Sequence, residues 1–216
     1  MVRLSSRFLV ILTRSVQTPP IEELTMQGYD LQFGTNVLGH FYLTTLLLPT
    51  LIATAKQEEK PARIIHTASV AAHHWGEPNI RYDTVTPGVA RNKLGKLKLY
   101  WQSKFANAVF SNELHRRYES ENIISVSVNP GNLRTQLARS VPSVPRMLAN
   151  IFLLYPQANG ALTQLWAGTT DEGLKLSGKF LFPWARLGVS PTEESGSGAQ
   201  LWAWCEEAVT KFNDNS

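Results

Sequence analysis

Two short apolar runs with a long helical pattern between them constrain this chain more than any other feature. Arg63-Ile64-Ile65-His66-Thr67-Ala68-Ser69 and Ile123-Ile124-Ser125-Val126-Ser127-Val128-Asn129 are rich in β-branched residues. Pro61 precedes the first and Pro130-Gly131 closes the second, so both read as strands. Between them, from Lys96 to about Tyr118, Phe105, Val109 and Leu114 or Phe110 recur at helical intervals. Strand, helix, strand in that order implies a right-handed parallel crossover. Both strands then present their C-terminal ends to one side, where open α/β sheets bind their ligands. Ser69 and Pro130-Gly131 fall on that shared edge. The expectation is an α/β fold with a parallel sheet.

The flanking chain reads as further units of the same kind. Phe8 to Leu12 is apolar enough for a buried strand. Pro19-Pro20 is a break, and Ile21 to Thr25 a connecting turn. From about Met26 the pattern becomes helical, with Leu31, Val37 or Leu38, Phe41 and Leu48 on one face. Asn36 sits inside this helix, an unfavourable place because its side chain competes for backbone hydrogen bonds. Lys56 to Pro61 is a charged turn, and His73 to Gly95 a long loop of the length associated with functional lids. After Asn132, Val141 to Leu154 is apolar, and Gly160 to Gly168 reads as a helix packed through Leu162, Leu165 and Trp166. Gly178 to Phe182 is a third candidate strand, and Ala199 to Phe212 a closing amphipathic helix. No repeat and no second domain is evident.

Composition excludes several functions. The net charge is +4, but apart from Arg116-Arg117 and Lys93/Lys96/Lys98 the basic residues are scattered, unlike the stripe of a nucleic-acid-binding surface. Cys205 is the single cysteine, which excludes an intrachain disulfide and suits a reducing compartment. His73 and His74 are adjacent and do not converge on one metal, so they read as loop residues and no metal site is expected. No uninterrupted apolar run reaches the roughly 20 residues that span a bilayer. Leu43 to Ile52 comes nearest, broken by Thr44, Thr45, Pro49 and Thr50. The N-terminal apolar run is shorter than a signal-peptide core of about 7 to 15 residues. A cytoplasmic protein is the expectation.

Tyr100 and Lys104 lie four positions apart on the second helix, hence on one face. An ammonium beside a phenol favours the phenolate and would lower the tyrosine pKa from about 10. Such a tyrosine exchanges protons near neutral pH, as carbonyl reduction and alcohol oxidation both require.

Asn36 in a helix, Ser69 at a strand end, Tyr100-x-x-x-Lys104 on the next helix, then a strand into Pro130-Gly131, resemble the short-chain dehydrogenase/reductase family. Gly28-Tyr29-Asp30-Leu31-Gln32-Phe33-Gly34-Thr35-Asn36-Val37-Leu38-Gly39-His40-Phe41 is similar to the retinol-dehydrogenase-type branch and its fungal relatives. So are Ser103-Lys104-Phe105-Ala106-Asn107 and Asn129-Pro130-Gly131 with Thr135 following. The resemblance implies a Rossmann-type doubly wound parallel sheet with flanking helices. It implies an oxidoreductase that uses NAD or NADP to interconvert an alcohol and a carbonyl, on a small lipophilic substrate. Tyr100 would be the general acid or base. Ser69 would hold the substrate oxygen, Lys104 would lower the tyrosine pKa and hold the nicotinamide ribose, and Asn36 would fix a water-borne proton route to Lys104. Pro130, Gly131 and Thr135 would lie against the nicotinamide and its phosphate. Family members are often homodimers through the two long helices, and this branch often sits on intracellular membranes.

One part of the family pattern is missing. No Thr-Gly-x-x-x-Gly-x-Gly occurs; the early glycines, Gly28, Gly34 and Gly39, lie within or beside the Asn36 helix. That turn and the following helix would hold the pyrophosphate. The residue that selects NAD or NADP is missing with it, and Leu12-Thr13-Arg14-Ser15-Val16 stands where Asn-Asn-Ala-Gly is expected. Residues 1–17 therefore read as a divergent segment and 18–216 as the family domain without its N-terminal βαβ units, as in a truncated or mis-spliced gene product. The alternative to an enzyme is an inactive remnant that binds a partner. Loss of those strands would expose a sheet edge, which Phe8–Leu12 could cover.

Overall fold

The computed structural model describes residues 8–11, 15–133 and 155–214, with side chains from residue 15 onward. Five strands form one sheet in sequence order: β1 (Phe8–Ile11), β2 (Ala62–Thr67), β3 (Ile123–Val128), β4 (Phe180–Phe182) and β5 (Arg186–Gly188). The first four are parallel, and β5 turns back antiparallel on β4. The expected parallel α/β sheet is thus observed. Phe8 pairs with Arg63 and Ile11 with His66, so β1 covers the edge of β2 as expected.

Among the described residues four helices flank the sheet: α1 (Leu31–Glu58), α2 (Val89–Tyr118), α3 (Leu162–Thr169) and α4 (Ser197–Asp214). Alternation along β2 sorts them onto two faces. Ile64 joins Phe41, Phe110, Leu114 and Trp202 in the main core beneath α1, α2 and α4. Ile65 faces the other way, with Val126, Val128 and Ala167, beneath α3. Helices on both faces make the arrangement doubly wound. Arg63, also on the α3 face, donates to the carbonyls of Ala167 (3.0 Å) and Thr170 (2.6 Å), satisfying acceptors at the end of α3 that the helix leaves open.

Several boundaries differ from the sequence reading. α1 begins at Leu31 rather than Met26, because Asp30 caps it: Asp30 Oδ1 accepts from the backbone of Gln32 and Phe33, each at 3.0 Å. The other oxygen, Oδ2, takes both Nε and Nη2 of Arg91 at 3.0 and 2.9 Å, and both side chains are buried. Arg91 also donates to Ile21 O at 2.5 Å. One buried ion pair thereby joins the start of α1, the turn before it and the first part of α2. α1 is long and apolar enough by composition to cross a membrane, which the run-based reading missed; here Phe33, Val37, Phe41 and Leu48 are in the core.

The His73–Gly95 stretch is less irregular than expected. It holds 3₁₀ turns at Val70–His74 and Tyr82–Thr84, and helix from Val89 interrupted at Gly95 (φ 78°, ψ 157°). His73 and His74 thus end a turn of helix. The expected packing face of α3 holds at Trp166, which packs against the Ile65 side of the core, and fails at the two leucines. Leu162 and Leu165 are about half exposed, while Thr163, Gln164 and Ala167 are buried. Polar partners explain the inversion, since Gln164 donates to Thr67 Oγ1 at 3.4 Å and Thr163 Oγ1 accepts from Ala185 N at 3.3 Å. Thr135 and the Val141–Leu154 run lie outside the described residues.

Candidate active site

The site forms at the C-terminal ends of β2 and β3. Just past β2, Ser69 has extended backbone (φ −165°, ψ 157°) and caps the next turn by accepting from Ala71 N at 3.2 Å. On α2, Tyr100 is buried, with its hydroxyl turned to the Ser69 side chain, which favours the ionised phenol. Lys104, one turn further, is 2% exposed. Its Nζ donates to Thr67 O at 3.2 Å and lies 5.9 Å from the centre of the Tyr100 ring. Three of the four expected residues therefore meet at one place.

Their electrostatics differ from the simple expectation. Burial raises the Tyr100 pKa above 10, and the Ser69 hydroxyl pulls it back only in part. The ammonium does not win, because Lys104 is itself desolvated and its pKa falls to about 7. A lysine half-charged near neutrality is a weaker phenolate stabiliser than a full cation. Lys104 is thus as much a proton-exchanging group as Tyr100.

Asn36 is tied into the site by its side chain. It lies in a π-helical turn, Gly34–Leu38, a distortion frequent at functional sites. Oδ1 accepts from Val16 N (3.0 Å) and Ser15 Oγ (3.3 Å), while Nδ2 donates to Val16 O (2.9 Å) and Ser103 Oγ (3.0 Å). Ser103 in turn donates to Tyr100 O at 2.8 Å. These bonds explain why Asn stands mid-helix, and they use both amide hydrogens of its side chain.

Beyond β3, Gly131 has φ +94° and donates to Asn129 Oδ1 at 3.1 Å. A Cβ there would lie 2.9 Å from Pro183 Cγ, so glycine is required on both counts. A cavity of about 230 Å³ opens beside it, lined by Val70, Asn129 and Gly131 and by Tyr155, Phe182 and Trp184 among others. Pro130 connects Asn129 to this corner.

Two residues went unnoticed in the sequence. His40 follows Asn36 by one turn of α1, and His66 is the one ionisable residue in the apolar middle of β2. Both are buried, with pKa values lowered to about 3 by desolvation, in His40 also by Lys104 and His66. A histidine directly after the apolar Ile64-Ile65 pair was the available signal.

Comparison with known proteins bears on the family and the fold. The family model described as short chain dehydrogenase matches residues 11–145. A short-chain dehydrogenase/reductase of Armillaria gallica is 49% identical over 193 residues, covering 88% of this chain and 61% of that protein. Human retinol dehydrogenase 12 is 34% identical over 181 residues, covering 82% of this chain and 54% of that protein. The chain thus spans about three-fifths of the length of such relatives. NADPH-bound carbonyl reductase from chicken fatty liver superposes with a TM-score of 0.57 at 18% identity, over 83% of this chain and 64% of the other. The NADH complex of a Brucella melitensis 3-ketoacyl-(acyl-carrier-protein) reductase gives 0.58 at 17%, over 82% and 65%. Those two likenesses concern the fold; the sequence match carries membership, and by it the chain belongs to the short-chain dehydrogenase/reductase family.

Proposed function

We propose that this chain carries the proton-handling and substrate side of an NAD(P)-dependent reaction interconverting an alcohol and a carbonyl. The observation that carries the reading is the convergence of Ser69, Tyr100 and buried Lys104 at the sheet edge, with the Lys104 ammonium on Thr67 O and 5.9 Å from the Tyr100 ring. In reduction Tyr100 gives its proton to the carbonyl oxygen, and in oxidation it takes one back. Ser69 donates to the same oxygen and stabilises the charge that develops there. Lys104 supports the tyrosine and holds ribose hydroxyls, and Asn36 keeps Ser103 and Tyr100 in register while its turn of α1 orders a water towards Lys104. NAD or NADP, when bound, supplies hydride chemistry at the nicotinamide. Tyr100, Lys104, Pro130 and Gly131 fit that end of the dinucleotide in donor type and position along the edge, and the family resemblance adds Thr135 to them. Tyr155, Phe182 and Trp184 around the cavity support a lipophilic substrate. Exposed Leu46 on α1 and Leu97 on α2 support a homodimer through the long helices, and the apolar composition of α1 supports contact with intracellular membranes.

A second reading follows from the missing Thr-Gly-x-x-x-Gly-x-Gly turn. In it, the chain keeps the proton-handling half without a competent dinucleotide site and is an inactive, partner-binding remnant. Titration with NADH and NADPH, followed by cofactor fluorescence, separates the two. Saturable binding tighter than about 100 μM, lost in Lys104→Ala, supports the enzyme; no binding of either cofactor removes it. In an active preparation Tyr100→Phe should lower kcat by about 10²- to 10⁴-fold, and retention of most of kcat would refute the role given to Tyr100.

A further inference from the structure

The cavity beside Gly131 has one charged side chain on its described wall, that of Arg186. Arg186 opens β5 and pairs with Phe182 of β4, so the short hairpin between them sets both Trp184 and Arg186 against the cavity. Its Nε donates to Pro183 O at 2.5 Å. That bond restrains the guanidinium plane and leaves the two terminal nitrogens as a planar fork. The neighbouring wall is aromatic: Phe182 and Trp184 share it with Tyr155, whose ring meets Trp184 edge-on at 5.0 Å. Val70 lines the same space and directly follows Ser69, so the cavity opens beside the proton-handling groups.

Arg186 stands apart from the other described arginines in its partners. Arg81, Arg91, Arg116 and Arg117 each reach a carboxylate, on Asp83, Asp30 and Glu113. Arg63 is buried against the carbonyls at the end of α3. Arg186 forms no ion pair among the described residues, and these include all 17 Asp and Glu of the chain. An exposed arginine without a carboxylate is commonly no more than solvated surface. Two observations separate Arg186 from that case: its guanidinium is held by a backbone carbonyl, and it lines a cavity at the catalytic edge with no acid on the described wall. A guanidinium fork so placed matches a carboxylate in two parallel hydrogen bonds. The rings beside it offer apolar surface to whatever bears that carboxylate.

We propose that Arg186 determines specificity, and that the substrate is an acid: a lipophilic alcohol or carbonyl compound whose carboxylate sits on the Arg186 fork while Tyr155, Phe182 and Trp184 cover its apolar body. The proposal rests on the reading of Ser69, Tyr100 and Lys104 given above and narrows its substrate from lipophilic to anionic. An acid anchored at one end of the cavity fixes which carbon of the molecule reaches Ser69 and Tyr100. A neutral molecule of the same shape lacks that register. A phosphate of the dinucleotide would offer the fork similar chemistry. The aromatic wall favours the carboxylate, because a dinucleotide phosphate brings ribose hydroxyls to those rings where a lipophilic acid brings apolar surface.

The test reads the cavity directly and needs neither cofactor nor turnover. The full chain is titrated with phenylpropionate and with its neutral isostere phenylpropionamide. The indole N–H of Trp184, assigned in ¹H–¹⁵N spectra by Trp184→Phe, reports occupancy. The carboxylate should shift that signal saturably and bind about fivefold tighter than the amide, or more. Arg186→Gln should remove this advantage while leaving the amide affinity within about twofold, and Arg186→Lys should keep only part of it. Equal affinity for acid and amide in the wild type would overturn the proposal, as would no shift with either or an acid preference that survives Arg186→Gln. The wild-type comparison stands even if no variant folds. Cofactor fluorescence separates the other anion: an Arg186→Gln variant that binds NADH and NADPH more weakly yet keeps the acid preference would give Arg186 to the dinucleotide and refute its role here. If the wild type binds neither dinucleotide, the NAD(P)-dependent reading fails by itself, and the acid preference at Trp184 still decides this proposal.

Discussion

Lys104→Met should stabilise this protein, and by an amount that depends on pH. Lys104 is 2% exposed, and burial lowers its pKa from 10.5 to about 7. The folded state thus binds this proton more weakly than the unfolded chain, where lysine titrates near 10.4. Stability rises with pH wherever the unfolded state holds more protons. For this group the window runs from about 7 to about 10.5. Below the window the cost of burying the charge is fully present, and above it the cost is gone. Between about pH 6 and pH 9 the wild type should gain about 2–3 kcal/mol from this lysine, at about 1.4 kcal/mol per pH unit once past the folded pKa. The methionine variant fills similar space and has no proton to lose. Its advantage over wild type should therefore be largest near pH 6 and shrink by the same 2–3 kcal/mol near pH 9. Urea unfolding at fixed ionic strength, followed by tryptophan fluorescence, measures both proteins at each pH. With m near 2–3 kcal/mol/M the changing gap appears as about 1 M in midpoint. Taking the difference between variants cancels groups that titrate alike in both. A gap constant across that pH range would refute a desolvated Lys104, and with it the account of how burial governs this site.

His40 and His66 extend the argument to acid. Their folded pKa values of about 3, against 6.5, mean that stability falls as pH drops from about 6.5 towards 3. His66→Asn, which cannot take up that proton, should move the acid-unfolding midpoint in far-ultraviolet circular dichroism to lower pH; an unmoved midpoint would contradict a buried neutral His66. Arg91→Met strands the Asp30 carboxylate, which is 1% exposed, and should cost about 3–5 kcal/mol in urea unfolding. Asp30→Asn/Arg91→Met should recover part of that loss, and a surface-like cost below about 1 kcal/mol would show that the pair is solvated. Gly131→Ala forces a Cβ at φ +94° to within 2.9 Å of Pro183 Cγ. It should cost about 1–3 kcal/mol, and a thermal midpoint equal to wild type would show that Pro183 yields freely.

The sequence was most legible where local pattern and tertiary environment agree. β2 and β3 are apolar on both faces because helices cover both, so their runs announced them within a residue or two. β5 spans only Arg186–Gly188, too short for any periodicity, and its existence depends on pairing with β4. The inward face of α3 was misread at Leu162 and Leu165 because Gln164 and Thr163 have partners on β2 and after β4 that no local pattern reveals. Tyr100, Lys104, Ser69 and Asn36 were identifiable by type and spacing. Their protonation was not, since the sign of the Tyr100 shift is set by how deeply the phenol itself is buried. The lowered pKa values of His40 and His66 likewise arise only once α1 and β2 bury them.

The bonds that Asn36 makes to Val16 go to main-chain N–H and C=O, groups that every residue except proline carries. Asn36 thus holds residue 16 by its main chain, with the Ser15 hydroxyl adding a side-chain bond. An anchorage of this kind tolerates substitution of the side chain at residue 16. It also passes the presence of the segment, through Ser103, to the carbonyl of Tyr100. Residue 16 can therefore change its side chain and still leave the helix of the proton-handling tyrosine tied to this segment.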